Sequence, residues 1–156
     1  MHTAARVVLV GLILCGQRTW AQQQAAAAGP VEIHVNDRCK VLTVDPPTKK
    51  NPNPAPRYRS NSTVCRLVSD HDTSYWDMVT MNGNPVRVRV HVHEHEFLLN
   101  NTTDQPVLFV VDETLRKGWH IDSDPKPDAV NGQIATFRIR AEPKQVVRLH
   151  VGQKSR

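Results

Sequence analysis

Three histidines at alternating positions are the residues of this chain whose type and spacing best suit chemistry. His91, His93 and His95 lie in the run Val-Arg-Val-Arg-Val-His-Val-His-Glu-His-Glu, residues 86–96. Side chains two residues apart on a strand point the same way, with Cα atoms roughly 6.5–7 Å apart. Two imidazoles at that spacing can close on one metal ion with bonds of about 2.0–2.1 Å. The pattern therefore predicts a site for zinc, copper or nickel at His91, His93 and His95.

The same row has a simpler interpretation as the polar face of a half-buried strand. The valines of Val86–Val92 would face the core, and the histidines would share the solvent face with Arg87 and Arg89. Those arginines raise the local positive potential, which disfavours a cation. A third metal ligand also has several candidates elsewhere in the chain, namely His71, His120 and His150. Both interpretations stay open, as does binding of added nickel or copper only at high concentration.

The apolar pattern of this strand changes parity beyond the histidines. Val92 has the parity of the predicted inward face, but the next apolar residue, Phe97, has the opposite parity. A regular strand would place Glu94 and Glu96 inward, and burial of unpaired carboxylates is costly. We therefore expect either a β-bulge between His93 and Phe97 or a strand that leaves the core there.

A second candidate site is the proline-rich, basic segment at residues 45–62. Its five prolines are incompatible with a helix interior or a central strand. Its basic residues are Lys49, Lys50, Arg57 and Arg59. Long loops are usually functional or disordered. The segment predicts either a plain solvated loop or a loop that docks an acidic partner.

Constellations typical of enzymes are weak in this sequence. His71 and Asp72 precede Ser74, but neighbouring residues on a strand point apart, and no nucleophile motif surrounds the serine. The acidic run at 122–128 lacks the glycine and the distal glutamate of a calcium loop. Glycosylation acceptor patterns, which turn chemistry explains equally well, occur at Asn61, Asn100 and Asn101. An enzyme is the third alternative, and no catalytic or cofactor-binding residue is predicted.

Short strands must position all of these residues. Asn82-Gly83 between two β-rich runs is the strongest short-range hairpin signal, because both residues tolerate positive φ. Apolar and polar residues alternate at 134–141 and 146–152, so each of these strands has one buried face. Trp76 and Trp119 are expected to anchor the core. Eight or nine short strands predict an all-β fold, a single antiparallel β-sandwich over residues 31–152.

The N-terminus predicts export. A charged start, an apolar run at 7–14 and an exit through Thr19 and Ala21 form the three regions of a secretory signal peptide over residues 1–21, cleaved before Gln22. The apolar run is far shorter than the roughly 20 residues of a membrane span, and we expect no span after the signal is removed. Residues 22–30 are of low complexity and predict a disordered start of the mature chain. The expected location is secreted or periplasmic.

Export leaves Cys39 and Cys65 as an even pair, and such pairs usually form a disulfide. Two free buried thiols or a metal pair are the alternatives. Removal of residues 1–21 takes Arg6 and Arg18 from 20 basic residues, which leaves 18 against 15 acidic residues and a net charge of +3. Nucleic-acid binding predicts clustered basic residues with stacking aromatics, and aromatics are scarce here. Nucleic acid is therefore not an expected partner.

The last third of the chain resembles a family of exported domains. Residues 97–112, Phe-Leu-Leu-Asn-Asn-Thr-Thr-Asp-Gln-Pro-Val-Leu-Phe-Val-Val-Asp, are similar to the opening of many bacterial immunoglobulin-like domains. Residues 116–125 and 137–152 look like the C-terminal β domain of exported bacterial proteins of unknown function, which mucoidy-inhibitor-like proteins carry. The resemblance implies an immunoglobulin-like sandwich and a cell-envelope setting, and it implies no chemistry.

These observations predict an exported, non-enzymatic β-sandwich that acts as a binding or structural module in the cell envelope. Its partner would be an envelope protein or a surface ligand, bound by the 45–62 segment or by the outer face of the histidine strand. The alternative is a periplasmic or secreted protein that binds zinc, copper or nickel through His91, His93 and His95.

Overall fold

The computed structural model describes residues 29–155, and these residues form two β-sheets. The predicted signal peptide, its cleavage site and most of the predicted N-terminal tail lie outside the described residues. Ten strands run in chain order, and their bounds are β1 Val31–Asn36, β2 Lys40–Thr43, β3 Arg57–Ser60, β4 Cys65–Met81, β5 Asn84–Asn100, β6 Val107–Thr114, β7 Trp119–Ile121, β8 Ala129–Asn131, β9 Ile134–Ala141 and β10 Val146–Ser155. Residues 29–155 contain no helix, so the all-β prediction is confirmed.

The strand count differs from the predicted eight or nine for two reasons. Two runs expected to be separate, at 64–69 and 74–81, form one strand of 17 residues, β4. Two further strands are β3, which lies inside the segment predicted as a loop, and β8, which lies where no strand was predicted. β3 begins directly after Pro56, the last proline of the 45–62 segment, and pairs with β2 as the outermost strand of its sheet.

One sheet has six strands and the other has four. The six-stranded sheet has the order β3-β2-β1-β6-β9-β8, and the four-stranded sheet has the order β4-β5-β10-β7. All pairings are antiparallel except β1 with β6, which is parallel and runs from Val31 opposite Val107 to Asn36 opposite Asp112. The prediction of a purely antiparallel fold was therefore wrong at this pair.

Both sheets contribute to one apolar core. Phe97 and Leu99 from β5 are fully buried, as are Phe109 from β6 and Phe137 from β9. The predicted alternation of β9 and β10 is confirmed, because Phe137 and Leu149 face this core while Arg138 and Arg148 do not. No helix among residues 29–155 has the length and apolarity needed to span a bilayer.

The predicted disulfide joins Cys39 to Cys65 across 26 positions of sequence. Cys39 follows β1 in a tight turn at φ 55°, and Cys65 begins β4, so the bond links the two sheets. The Asn36 side-chain carbonyl accepts hydrogen bonds from the backbone of Arg38 and Lys40, which fixes this turn. The even cysteine pair thus has the structural role that the sequence predicted.

The Asn82-Gly83 turn closes a hairpin that is longer than the sheet to which it belongs. Both turn residues have positive φ, 52° and 80°, as the hairpin prediction requires. From Asp70 to Met81, β4 pairs with β5 without interruption, whereas β10 pairs with β5 only as far as Val92. The far end of the hairpin therefore extends past the four-stranded sheet as a two-stranded ribbon.

Candidate metal centre

The centre of the candidate site lies on directly opposed residues of β4 and β5. Asp70 pairs with His95, and Asp72 pairs with His93. Side chains of directly opposed residues in an antiparallel pair lie on the same face of the sheet. Four groups that can bind a metal or hold a ligand therefore share one small patch.

Both histidines of this patch face inward, against the expectation that they would face solvent, whereas Asp70 and Asp72 are exposed. His93 and His95 are each only 8% exposed and continue the buried face of Phe97 and Leu99. Their inward placement is possible because acidic side chains accept hydrogen bonds from both rings, which satisfies polar groups that burial would otherwise penalise.

The change of parity in β5 is therefore not caused by a β-bulge on this strand. Glu94 and Glu96 lie on the outer face, where His71 pairs with Glu94 and Arg148 pairs with Glu96. The register shift in this hairpin lies on β4, between Leu67 and Ser69, and not between His93 and Phe97 of β5.

Three ligand atoms converge on one point. His93 Nε2 lies 2.9 Å from His95 Nε2, and Asp70 Oδ1 lies 3.4 Å from His95 Nε2 and 3.8 Å from His93 Nε2. Ligand atoms around a tetrahedral zinc ion with bonds of about 2.0–2.1 Å lie about 3.3 Å apart. The three observed separations bracket this value.

The other nitrogen of each ring contacts a carboxylate. His93 Nδ1 lies 3.1 Å from Asp72, and His95 Nδ1 lies 3.1 Å from a carboxylate oxygen of Glu113. Glu113 belongs to β6 of the other sheet and is 1% exposed. Metal-binding histidines almost always donate their second ring N–H to such an acceptor, which fixes the tautomer and the ring orientation.

Both of these carboxylates are themselves held in place. Arg116 donates to both oxygens of Asp72, at 2.7 and 3.2 Å. Gln153 Nε2 donates to Glu113 at 2.6 Å, and its carbonyl oxygen accepts from the backbone of Arg116. The supporting contacts therefore come from β6, from β10 and from the turn before β7.

The electrostatics of the site favour positive charge between the rings. Burial lowers the pKa of His95, but the hydrogen bond and charge of Glu113 and the charge of Asp70 outweigh it, so that the pKa is raised. The hydrogen bond from Arg116 holds the pKa of Asp72 below its usual value, and the charge of His93 acts in the same direction. Around the two imidazoles lie three carboxyl groups, those of Asp70, Asp72 and Glu113, and one guanidinium, that of Arg116.

The ring geometry has a chemical consequence. If both Nδ1 atoms carry hydrogen and donate to carboxylates, both Nε2 atoms present lone pairs to one another at 2.9 Å. Two lone pairs at that distance repel unless a proton or a metal ion lies between them. The arrangement can therefore hold a cation.

The predicted histidine triad assembles only in part. His91 is exposed, its backbone N–H donates to Ser155 Oγ, and Asp70 rather than His91 completes the group of three. His71 and His150 lie near Glu94 on the outer face, at 2.9 and 3.6 Å.

Sequence reasoning missed Asp70, although the hairpin turn contains the signal. Counting outward from the two-residue Asn82-Gly83 loop places Asp72 opposite His93 and Asp70 opposite His95. Glu113 has no such local signal, because it comes from the other sheet.

The other candidate residues lie away from this patch. Lys49 and Lys50 are exposed in the irregular part of the 45–62 segment, and Arg57 and Arg59 lie on β3, where Arg59 pairs with Asp45 at 2.7 Å. Ser74 accepts hydrogen bonds from Arg89, while His71 lies on the opposite face from Asp72, so these residues form no hydrolytic triad.

The acidic run at 122–128 and the three glycosylation patterns have structural contacts. Asp122 pairs with Lys154 at 2.8 Å, and Asp128 accepts from the backbone of Arg138. Asn101 is fully buried, and its side-chain amide donates to three backbone carbonyls. Asn61 accepts from Thr63 Oγ1, and Asn100 donates to the Thr63 carbonyl.

Comparison of the chain with family models, with curated proteins and with solved structures gave no match in any of the three.

Proposed function

We propose that this protein binds a divalent transition metal, zinc, copper or nickel, through Asp70, His93 and His95. The single observation behind the proposal is the pair of facing Nε2 atoms whose opposite ring nitrogens both contact carboxylates. When both Nδ1 atoms donate to these carboxylates, both Nε2 atoms are acceptors, and a cation is the group that can join them. The proposal is a more specific form of the metal-binding alternative, with Asp70 in place of His91 as the third ligand.

The distances fit a tetrahedral or a square-planar site about equally well. With bonds of about 2.0 Å, ligand atoms lie about 3.3 Å apart around tetrahedral zinc, whereas a square-planar copper(II) site has neighbouring ligand atoms about 2.8 Å apart and opposite ones about 4.0 Å apart. The observed separations of 2.9, 3.4 and 3.8 Å lie between the two patterns. The experiment below therefore includes zinc, copper and nickel.

The acidic groups of the site support a cation. Three carboxyl groups lie around the rings against one guanidinium, that of Arg116. Arg87 and Arg89, which the sequence placed beside the histidines, lie further along the hairpin, opposite Met78 and Trp76. Their repulsion of a cation is therefore screened by solvent.

Three protein ligands leave a fourth position for water or for a group from a ligand. We place this centre in an exported, non-enzymatic domain with an immunoglobulin-like sandwich fold. The disulfide supports an oxidising compartment, secreted or periplasmic. The core shared by two sheets supports a sandwich, and the immunoglobulin type follows only from the resemblance of residues 97–152.

The test is calorimetric titration of zinc, copper and nickel into protein purified without a histidine tag. We expect one equivalent of zinc to bind, and the variants Asp70→Asn, His93→Asn and His95→Asn to lose about 100-fold or more in affinity. The matched control is His91→Asn, which removes an imidazole from the same strand outside the group and should bind zinc normally.

A second readout distinguishes loss of binding from loss of folding. Zinc at about 100 times its dissociation constant should raise the free energy of unfolding by about 2.7 kcal/mol in the wild type and in His91→Asn. Absence of stoichiometric binding by the wild type contradicts the proposal, and so does equal loss in the His91→Asn control.

The envelope-binding role is a second proposal, supported by the exposed basic residues Lys49, Lys50 and Arg57 in the 45–62 segment. Within residues 29–155, none of the three takes part in an ion pair. Its test is a pull-down from an envelope fraction with and without that segment. Recovery of the same proteins without the segment contradicts a docking role for it.

A further inference from the structure

The far end of the hairpin is a two-stranded ribbon in which β5 has a neighbouring strand, β4, on one side only. We call residues Ser74–Met81 of β4 and Asn84–His91 of β5 the distal ribbon. Within the described chain, Asn84–His91 pairs with β4 and with no other strand. A two-stranded hairpin alone is at best marginally stable in water, and a third strand over an apolar face is the usual remedy.

The open side of β5 carries unpaired backbone groups. The His91 N–H points away from β4, because it donates to Ser155 Oγ at the end of β10. Backbone groups of alternate residues in an antiparallel strand face the same side. The N–H and C=O groups of Arg87 and Arg89 therefore face the same open edge, in line with β10.

One face of the distal ribbon is an apolar groove. Its floor pairs Tyr75 with Val90 and Asp77 with Val88, so that it holds one carboxylate, while Lys154 and His120 lie at its border. The groove has a volume of about 680 Å³. A strand added along the open edge of β5 would place every second side chain on this apolar face.

The opposite face of the distal ribbon is cationic and aromatic. The Arg87 guanidinium lies 4.7 Å from the ring centre of Trp76, and Arg89 donates to Ser74 Oγ. No carboxylate within residues 29–155 forms an ion pair with either arginine. Trp76 is 57% exposed, so the expectation that it anchors the core was wrong.

Arg87 and Arg89 determine which kind of strand can pair along the open edge of β5. If a second copy of β5 paired along this edge, its arginines would lie beside Arg87 and Arg89, and like charges side by side in a sheet are destabilising. A strand with carboxylates at those positions would instead pair with both. Its alternate positions must be apolar, because they lie over the groove.

We infer that the distal ribbon binds an extended acidic segment of a protein partner as an added strand next to β5. Aspartate or glutamate side chains of that segment contact Arg87 and Arg89, and its alternate apolar side chains enter the groove beside Tyr75 and Val88. Backbone hydrogen bonds to β5 supply affinity, and the alternating faces supply specificity. The inference is independent of the metal centre.

The probe is an eight-residue peptide of alternating glutamate and valine, blocked at both ends and titrated calorimetrically into the whole domain. We expect it to bind at least tenfold more tightly than the matching lysine–valine peptide. The double variant Arg87→Glu/Arg89→Glu should reverse that preference. N-methylation of the peptide amides that face β5 should weaken binding at least tenfold, since it removes the backbone pairing.

Amide hydrogen exchange locates the bound peptide. The amides of Arg87 and Arg89 should exchange quickly in the free protein and slowly in the complex. Thermal unfolding of the double variant at the wild-type temperature shows that its fold is intact.

Three results would overturn the inference. The first is that neither the glutamate–valine peptide nor the lysine–valine peptide binds. The second is equal binding of both peptides by the wild type, which indicates an apolar groove without charge recognition. The third is a concentration-dependent dimer that protects the same two amides, which indicates a second copy as the occupant.

Discussion

The two halves of one hairpin differ in environment although they share a single pair of strands. The proximal segment consists of Cys65–Thr73 and Val92–Asn100 and carries the histidine–aspartate group. It pairs with β10 in its own sheet and packs against the other sheet. The distal ribbon continues the same register from Asp70 without a bulge. Phe97 in the proximal segment is fully buried, whereas Met78 in the distal ribbon is 60% exposed.

The apolar face changes sides between the two halves. In the proximal segment, Phe97 and Leu99 face the core, and on the distal ribbon Val88 and Val90 face the groove on the opposite side. A strand has two faces throughout its length, and the surroundings determine which one is buried. A parity change in sequence therefore marks a change of environment here and not a defect in the strand.

The largest expected difference between the halves is in their contribution to stability. Phe97→Ala should lower the free energy of unfolding by about 3–5 kcal/mol, because it leaves a cavity in a core shared by both sheets. Trp76→Ala should cost less than about 1 kcal/mol, since it removes an exposed ring and one contact with Arg87. Urea unfolding measures both. A loss of similar size in the two variants would show that the distal ribbon is packed against something in solution.

The disulfide should stabilise the domain through the base of the proximal segment. Replacing both Cys39 and Cys65 by alanine removes a 26-residue constraint, and the expected loss is about 3–3.5 kcal/mol in the chain-entropy model. Urea unfolding of the variant and of the reduced wild type should give matching midpoints. A variant as stable as the oxidised protein would contradict a role for this bond in holding the sheets together.

The metal centre should depend on the other sheet as well as on the hairpin. Glu113→Gln should weaken zinc binding about tenfold or more, because the carboxylate that orients His95 loses its charge. Glu94→Gln is the matched control, since it removes the same charge from the outer face of β5. Titration calorimetry compares the two. Equal weakening by both changes would mean that only the net charge matters and not the contact with His95.

Much of the hairpin could be predicted from sequence, because its signals are local. The Asn82-Gly83 turn, the two-residue spacing of His93 and His95 and the even cysteine pair all depend on neighbouring residues or on simple counting. The inward face of the histidines could not be predicted in this way. It depends on Glu113, a residue of the other sheet whose position depends on long-range pairing of β6 with β1 and β9.

Dependence on neighbouring strands also explains the other wrong predictions about the fold. The prolines of residues 45–62 all lie at or before Pro56, and the segment was treated as one loop although Arg57–Ser60, which follows the last proline, forms the edge strand β3. Trp76 was expected in the core because tryptophan usually is, and nothing local indicates that the sheet ends before it. Local patterns specify strands and turns, while the neighbours of each strand decide burial.

The smallest expected effect concerns the ion pair of Lys154, beside the groove, with Asp122. The hydrogen bond from Lys154 holds the pKa of Asp122 below its usual value. The resulting stabilisation is present above the unfolded pKa of about 3.9 and is lost as the pH falls through the lower folded value. Because both side chains are partly exposed, the contribution should stay under about 1 kcal/mol and shrink further in high salt.

The variant Asp122→Asn tests this pair, because it removes the charge of Asp122 and with it the stabilisation that is lost in acid. The difference in melting temperature between the wild type and Asp122→Asn should be largest near pH 6 and should vanish below the folded pKa of Asp122. Asp104→Asn, which changes an exposed partner of Lys144 in the loop after β5, is the control for a general charge effect. A difference that persists unchanged into acid would mean that the side chain of Asp122 stabilises the fold through contacts that do not depend on its charge.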